Sequence, residues 1–315
     1  MEFEIPKEKW VGRITEVTIG ASTKDGGTRN RIVKVGGQTT LPFLRFEGKI
    51  PNSPAIGMEV WDVVPEFPKV VSQFFEHVWE NTAEWAKLCV DEFGAELISL
   101  RLESTNPEEQ NRSAEEAAQT VKEVLDAVEV PLIINGTGHE EKDVEVFVRC
   151  AEVVQKERCF LASAREDNYK SIAAAALAYN QGVVAWSPID MNIAKQVNIL
   201  LTDIGLKKSD IIIDPLTGGL GYGLEYTYSV IERIRLAALK GDKFLQMPIL
   251  CNVYEAWGAR ESYQNDPYMG DVNLRGPLWE ATTGIACLMA GADILIMRHP
   301  KAVEIVRKMI NKLFS

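Results

Sequence analysis

The sequence is short of the side chains that do most enzyme chemistry. It has three histidines, His77, His139 and His299, and five cysteines, Cys89, Cys150, Cys159, Cys251 and Cys287, in 315 residues. No two cysteines stand in C-x-x-C spacing. That argues against a disulfide scaffold, a cysteine-ligated zinc and a complete iron–sulfur cluster site. Positive charge is also scarce: 34 Lys and Arg face 45 Asp and Glu, a net charge of −11. Such a balance disfavours nucleic acid and anionic membrane as partners, because no basic stripe is there to neutralise phosphates. No apolar run approaches the ~20 residues of a bilayer span. The opening Met1-Glu2-Phe3-Glu4-Ile5-Pro6 lacks the apolar core of a signal peptide. These absences lead to the expectation of a soluble, cytoplasmic protein.

What is present is a repeat. Short β-rich apolar runs at 58–64, 95–102, 131–135, 159–164, 182–187, 210–214, 248–253 and 292–297 each end in a Gly, Pro, Asp or Ser cluster. An amphipathic stretch follows each run. The spacing predicts helices over 71–93, 118–128, 142–155, 167–179, 191–204, 225–239, 277–290 and 301–313. Eight such units in residues 58–315 point to an α/β fold, a (β/α)8 TIM barrel. A doubly wound open sheet is the alternative, but no G-x-G-x-x-G turn opens a helix after an early strand. Residues 1–57 stand outside the repeat and read as an N-terminal β-hairpin extension and connector, with strands at 11–19 and 31–35. The extension either caps the barrel's bottom or meets a partner.

Functional groups of such barrels lie at the C-terminal strand ends. The richest is the sixth, where Gly218, Gly219, Gly221 and Gly223 fall within six residues around Thr217, Leu220 and Tyr222. Glycines there let backbone approach a large or flat ligand closely, or simply serve the turn. Asn135-Gly136-Thr137-Gly138 after the third run invites the same two readings. Ser187, Asp190 and Met191 follow the fifth run, where Asp190 also suits a helix N-cap. The stretch 254–277 has no pattern and carries Trp257, Tyr263, Tyr268 and Met269, aromatics suited to a partner surface or a self-packed lid. His139 and His299 are the only imidazoles on this face, too few for a hydrolytic metal site. No run contains a lysine for Schiff-base chemistry. Neither a catalytic set nor a metal-ligand set emerges.

The segment Asp214-Pro215-Leu216-Thr217-Gly218-Gly219-Leu220-Gly221-Tyr222-Gly223-Leu224-Glu225, continuing to residue 239, resembles the small subunit of the corrinoid iron–sulfur protein. The archaeal branch of that family is the delta subunit of acetyl-CoA decarbonylase/synthase. The resemblance runs over nearly the whole chain. It implies a large-subunit partner that carries an iron–sulfur cluster, with a cobamide (a cobalt corrinoid) shared between that subunit and this barrel's C-terminal face. It implies a heterodimer that accepts methyl from methyltetrahydrofolate through a separate methyltetrahydrofolate:corrinoid methyltransferase, or from a methanopterin carrier in archaea. Delivery is then to acetyl-CoA synthase/CO dehydrogenase, in the Wood–Ljungdahl pathway of anaerobic carbon fixation. On this view the chain is a non-catalytic, cofactor-binding subunit. Asn135, Gly136, Thr137, Gly138, Ser187, Asp190, Met191, Thr217, Gly218, Gly219, Leu220, Gly221, Tyr222 and Trp257 are the candidate cofactor contacts. The competing reading is a self-sufficient pterin-dependent methyltransferase barrel, faintly echoed by Asp214-Pro215.

Overall fold

A computed structural model describes residues 4–314. Eight parallel strands form the barrel: β3 (Ala55–Trp61), β4 (Leu97–Arg101), β5 (Leu132–Asn135), β6 (Phe160–Ala164), β7 (Gly182–Trp186), β8 (Ile211–Asp214), β9 (Leu250–Asn252) and β10 (Ile294–Met297). They pair in the order β8-β7-β6-β5-β4-β3-β10-β9. One parallel bridge, Ile213 to Ile249, closes the ring between β8 and β9. Register runs Ala55 opposite Ile294 and Gly57 opposite Leu97. The strands read as near-continuous Ile, Leu and Val because parallel strands are covered on both faces. All eight runs seen in the sequence are strands, and the first begins three residues earlier, at Ala55.

Helices follow each strand: α1 (Lys69–Ser72) and α2 (Thr82–Asp91), then α3 (Ala114–Ala127), α4 (Glu140–Val153), α5 (Tyr169–Tyr179), α6 (Met191–Ile204), α7 (Leu224–Leu239), α8 (Val272–Ala290) and α9 (Pro300–Phe314). Ser113 and Glu116 form a reciprocal capping box that starts α3. The single helix expected over 71–93 is broken. Asn81 adopts an extended φ of −131° and its side chain accepts from Glu84 N at 3.1 Å, so it starts α2 afresh. The apolar spacing on either side instead feeds an aromatic cluster. Phe75 and Trp85 rings stand 5.4 Å apart, as do Trp61 and Phe67. Trp85 is fully buried there.

Two short strands, β1 (Val17–Ile19) and β2 (Val33–Val35), pair antiparallel ahead of the barrel. The hairpin covers the N-terminal end of the barrel. Thr15 N donates to Gln246 O at 2.7 Å, Gly20 N to Arg158 O at 2.9 Å and Arg31 N to Glu129 O at 3.1 Å. Those acceptors all precede barrel strands. Val17, Ile19 and Val35 are fully buried beneath it. Arg29 Nε adds a buried ion pair to Glu157 at 3.1 Å. The hairpin therefore covers much of this end, where a cavity of about 420 Å³ remains between Ile56, Glu96 and Arg307, and further cavities open on the opposite face.

Candidate functional site: the C-terminal face of the barrel

Two adjoining cavities open on this face. The smaller, of about 270 Å³, lies in the barrel mouth between Ser99 and Arg101 of β4, Asn135 of β5, Trp186 of β7, Asp214 of β8 and Asn252 of β9. The strands end here, so their last side chains converge on one space. Asp214 Oδ1 accepts from Leu216 N and Oδ2 from Asn252 Nδ2, both at 2.9 Å. Burial pushes its carboxyl up to about 7, against the pull of those two donors. Asn135 Nδ2 donates to Ser99 Oγ at 2.7 Å, and Asn252 N donates to Thr217 Oγ1 at 3.0 Å. The Arg165 guanidinium carbon sits 4.5 Å from the Trp186 ring centre.

The larger cavity is an open groove of about 940 Å³ that shares Arg101, Tyr254 and Glu255 with the mouth. Its walls include Trp61, Phe67, Trp257 and Tyr263. Arg298, at the end of β10, donates twice to Glu59 Oε2, at 2.9 Å from Nε and 2.6 Å through its second N–H. Its guanidinium carbon also lies 3.9 Å from the Phe67 ring centre and 5.0 Å from that of Tyr254. Arg101 Nε pairs with Glu103 at 2.6 Å. Glu255 is raised by burial and by Glu59, opposed by Arg298 and Arg101.

A buried carboxylate braces the groove from behind. Glu280 of α8 accepts from Trp257 Nε1 at 3.0 Å, Arg298 N at 2.6 Å and His299 N at 2.9 Å. Burial still pushes it up to about 7. Trp257 stacks on His299, with centroids 5.8 Å apart and planes 17° apart. His299 Nδ1 accepts from Lys301 N at 3.1 Å, and burial followed by the Lys301 charge lowers its imidazole to about 4. The histidine is thus a neutral packing group. Among the described residues, no group of three or more His, Cys, Asp or Glu is placed to hold a metal ion.

The candidate contacts fall in different places. Asn135, Gly136, Thr137, Gly138 and Thr217 line the mouth, and Trp257 lines the groove. The amides of Thr137 and Gly138 are already taken by Asp143, at 2.9 and 2.8 Å. Ser187 is fully buried, its N donating to Asp214 O at 2.8 Å. Asp190 caps α6, accepting from Asn192 N at 2.6 Å, and Met191 packs on the core. These last three line neither cavity. The glycine loop also turns inward. A Cβ on Gly219 would stand 2.6 Å from Ala256 Cα, and one on Gly218 would stand 2.7 Å from the Gly223 carbonyl. Gly221 and Gly223 hold φ of +71° and +97°. Gly218 N and Leu220 N are spent on Thr227 and Thr283. The loop's glycines therefore let it seat against a 3-10 helix at Val253–Gly258. Leu220 faces a separate shallow depression with Met269, Leu274, Leu278 and Trp279, and Tyr222 is 67% exposed.

The stretch 254–277 is more ordered than its sequence suggests. It holds 3-10 turns at Val253–Gly258 and Arg260–Ser262, and α8 already starts at Val272 with Pro277 inside it. Asp271 caps that helix, accepting from Asn273 N at 2.9 Å. Trp257 is buried, while Tyr268 is 98% exposed. Sequence reasoning put Arg165 and Tyr254 at strand ends without assigning them a contact, and passed over Glu59, Arg101 and Asn252. A usable signal was there: Glu59 and Arg101 are charges inside otherwise apolar barrel strands, which are seldom buried without a purpose.

Residues 16–312 match the family model described as CO dehydrogenase/acetyl-CoA synthase delta subunit. The chain belongs to this delta-subunit family. A relative from Methanocaldococcus jannaschii, the acetyl-CoA decarbonylase/synthase complex subunit delta, is 42% identical over 98% of this chain and 76% of its own length. The subunit of the same name from Methanothermobacter thermautotrophicus is 41% identical over 98% of this chain and 78% of its own length. Both relatives are named as subunits of a larger complex. Solved dihydropteroate synthases share the fold. One from Xanthomonas albilineans superposes with a TM-score of 0.58 at 13% identity, over 95% of this chain and 98% of that one. Another, from Coxiella burnetii, gives 0.53 at 17%, over 87% of this chain and 99% of that one. The delta-subunit family thus builds on a TIM barrel.

Proposed function

We propose that this chain is the barrel subunit of a corrinoid iron–sulfur protein, and that its C-terminal face helps enclose a cobamide carried by a large subunit. The observation that carries this reading is the groove beside the mouth. It is open, about 940 Å³, and walled by Trp61, Phe67, Trp257 and Tyr263. Such a wall suits the edge of a large flat ring, while the 270 Å³ mouth is too small to admit one. The residues present fit the group. Among the described residues, Trp61 Nε1 on the groove wall is buried with no protein acceptor. Arg101 spends its Nε on Glu103, and its two terminal nitrogens make no hydrogen bond among the described residues. These are unmet donors of the kind that the amide side chains and phosphate of a cobamide would satisfy.

The chemistry supplied by such a cofactor is methyl transfer through cobalt. This chain's residues bind, orient and exclude water. The aromatic walls keep one face of the space dry. Arg298, pinned by Glu59, fixes Phe67 and Tyr254. Glu280 fixes Trp257. The partners in this reading are the large subunit with its iron–sulfur cluster, a methyltetrahydrofolate or methanopterin methyltransferase, and acetyl-CoA synthase/CO dehydrogenase. The setting is the cytoplasm and the Wood–Ljungdahl pathway. Among the described residues no helix is long and apolar enough to cross a membrane.

Co-expression with the large subunit tests it. The purified complex should show corrinoid absorption bands, and the isolated chain should show none. Methyl transfer to free cobalamin by the isolated chain would overturn the reading in favour of a self-sufficient methyltransferase.

A further inference from the structure

The cavity at the hairpin end of the barrel takes no part in the proposed function. At about 420 Å³ it falls within the ~300–1,000 Å³ range of small-molecule pockets. β3 and β4 begin beside it and the second half of α9 runs along it, so Ile56, Glu96 and Arg307 meet there from distant parts of the chain. One half of the lining is apolar: Pro54, Ile56, Ile310 and Phe314. Ile56 and Ile310 are buried, and Phe314 meets Phe43 edge to face with centroids 5.6 Å apart.

The other half carries one charge of each sign. Glu96 Oε2 and Arg307 Nη1 stand 3.6 Å apart, too far for a hydrogen bond. Both groups are anchored from behind. Glu96 Oε2 accepts from Ile56 N at 2.8 Å, and Arg307 Nη2 donates to Gly94 O at 2.6 Å. Their remaining capacity is unspent: among the described residues Glu96 Oε1 accepts no hydrogen bond, and Arg307 Nε and Nη1 donate none. Ser53 and Asn311 are exposed at the rim, and neither side chain hydrogen-bonds another described residue. A simple anion would meet the Glu96 carboxylate, and a simple cation the Arg307 guanidinium. A hydrocarbon would leave both charges unmatched. A ligand with both charges and an apolar body matches every part of the lining. An α-amino acid carries its two charges on one carbon, so they reach two groups this close together.

We propose that this cavity binds a free α-amino acid with an apolar side chain, its carboxylate on Arg307, its ammonium on Glu96 and its side chain against Ile310 and Phe314. A carboxylate on a guanidinium gains charge-assisted hydrogen bonds, and the apolar wall selects the side chain. The site lies at the opposite end of the barrel from the groove, and its occupancy does not depend on a corrinoid.

The full chain is titrated by calorimetry with L-leucine and with L-phenylalanine. At least one should saturate at one site per chain with a Kd below about 1 mM. Two analogues of leucine, 4-methylpentanoate without the amine and 3-methylbutylamine without the carboxylate, should each bind about tenfold more weakly or worse. Glu96→Gln keeps an acceptor for Ile56 N and removes the charge, and should weaken amino-acid binding about tenfold or more. Ser53→Trp fills the cavity from its exposed rim and should abolish binding. It decides the question if circular dichroism shows that Glu96→Gln does not fold. Absence of saturation below about 1 mM with both amino acids overturns the proposal. So does equal affinity for either one-charged analogue, or unchanged affinity in the folded variants.

Discussion

Arg298 and Glu59 form a buried two-point ion pair, with two N–H donors of the arginine on one carboxylate oxygen, at 2.9 and 2.6 Å. Glu59 is 2% exposed, and its other oxygen accepts no hydrogen bond among the described residues. A buried charge so placed depends on its hydrogen-bonded counter-ion. Arg298→Met should therefore lower stability by about 3–5 kcal/mol in urea unfolding. Adding Glu59→Gln to that variant should recover part of the loss, because it removes the stranded charge. A cost below about 1 kcal/mol for the single change would show that the pair does not brace the groove.

The glycine loop gives a second expectation. Gly219 lies against the backbone of the 3-10 helix that carries Trp257, so close that an added Cβ would stand 2.6 Å from Ala256 Cα. Gly219→Ala should destabilise the chain by about 1–3 kcal/mol by overpacking, and should alter Trp257 fluorescence. A larger residue there moves the groove wall, so lost cofactor loading in Gly219→Trp would not place the loop in contact with cofactor. Unchanged stability and fluorescence in Gly219→Ala would contradict this packing.

His299 sets a pH dependence. Its folded pKa of about 4 is below the 6.5 of a free imidazole. Between those values the unfolded chain binds the extra proton, so stability is full above about 6.5 and falls as pH drops toward 4. The loss attributable to this group is on the order of 3 kcal/mol. His299→Gln should lack it. Thermal melts of both proteins between pH 4 and 7 check the difference, and a gap that does not change with pH contradicts it.

Much of the fold was legible because barrel strands are apolar on both faces and are bounded by turn residues. The runs ending at Asn135 and Asp214 stop at the last residue of β5 and β8. Helix breaks were less visible. Phe74, Val78 and Trp85 keep helical spacing across Asn81, yet the cap at Asn81 wins locally and the rings around Trp85 pack as a cluster. The site was half legible. Strand-end position found Asn135 and Thr217, because their place follows from the repeat. Glycine content misdirected attention to 218–223, since the same residues serve close backbone packing and ligand approach alike. The roles of Arg165, Arg101 and Arg298 could not be read without knowing which aromatic ring each one covers, and that is a tertiary relation.

If the proposed function holds, the C-terminal face, and not the hairpin end, meets the corrinoid-bearing partner. Hydrogen–deuterium exchange of this chain, alone and bound to the large subunit loaded with cobamide, tests that most directly. New protection is expected in residues 61–68 and 253–263 around the groove, with the hairpin at 17–35 unchanged. Protection confined to the hairpin end, with the groove loops exchanging as in the free chain, would contradict it.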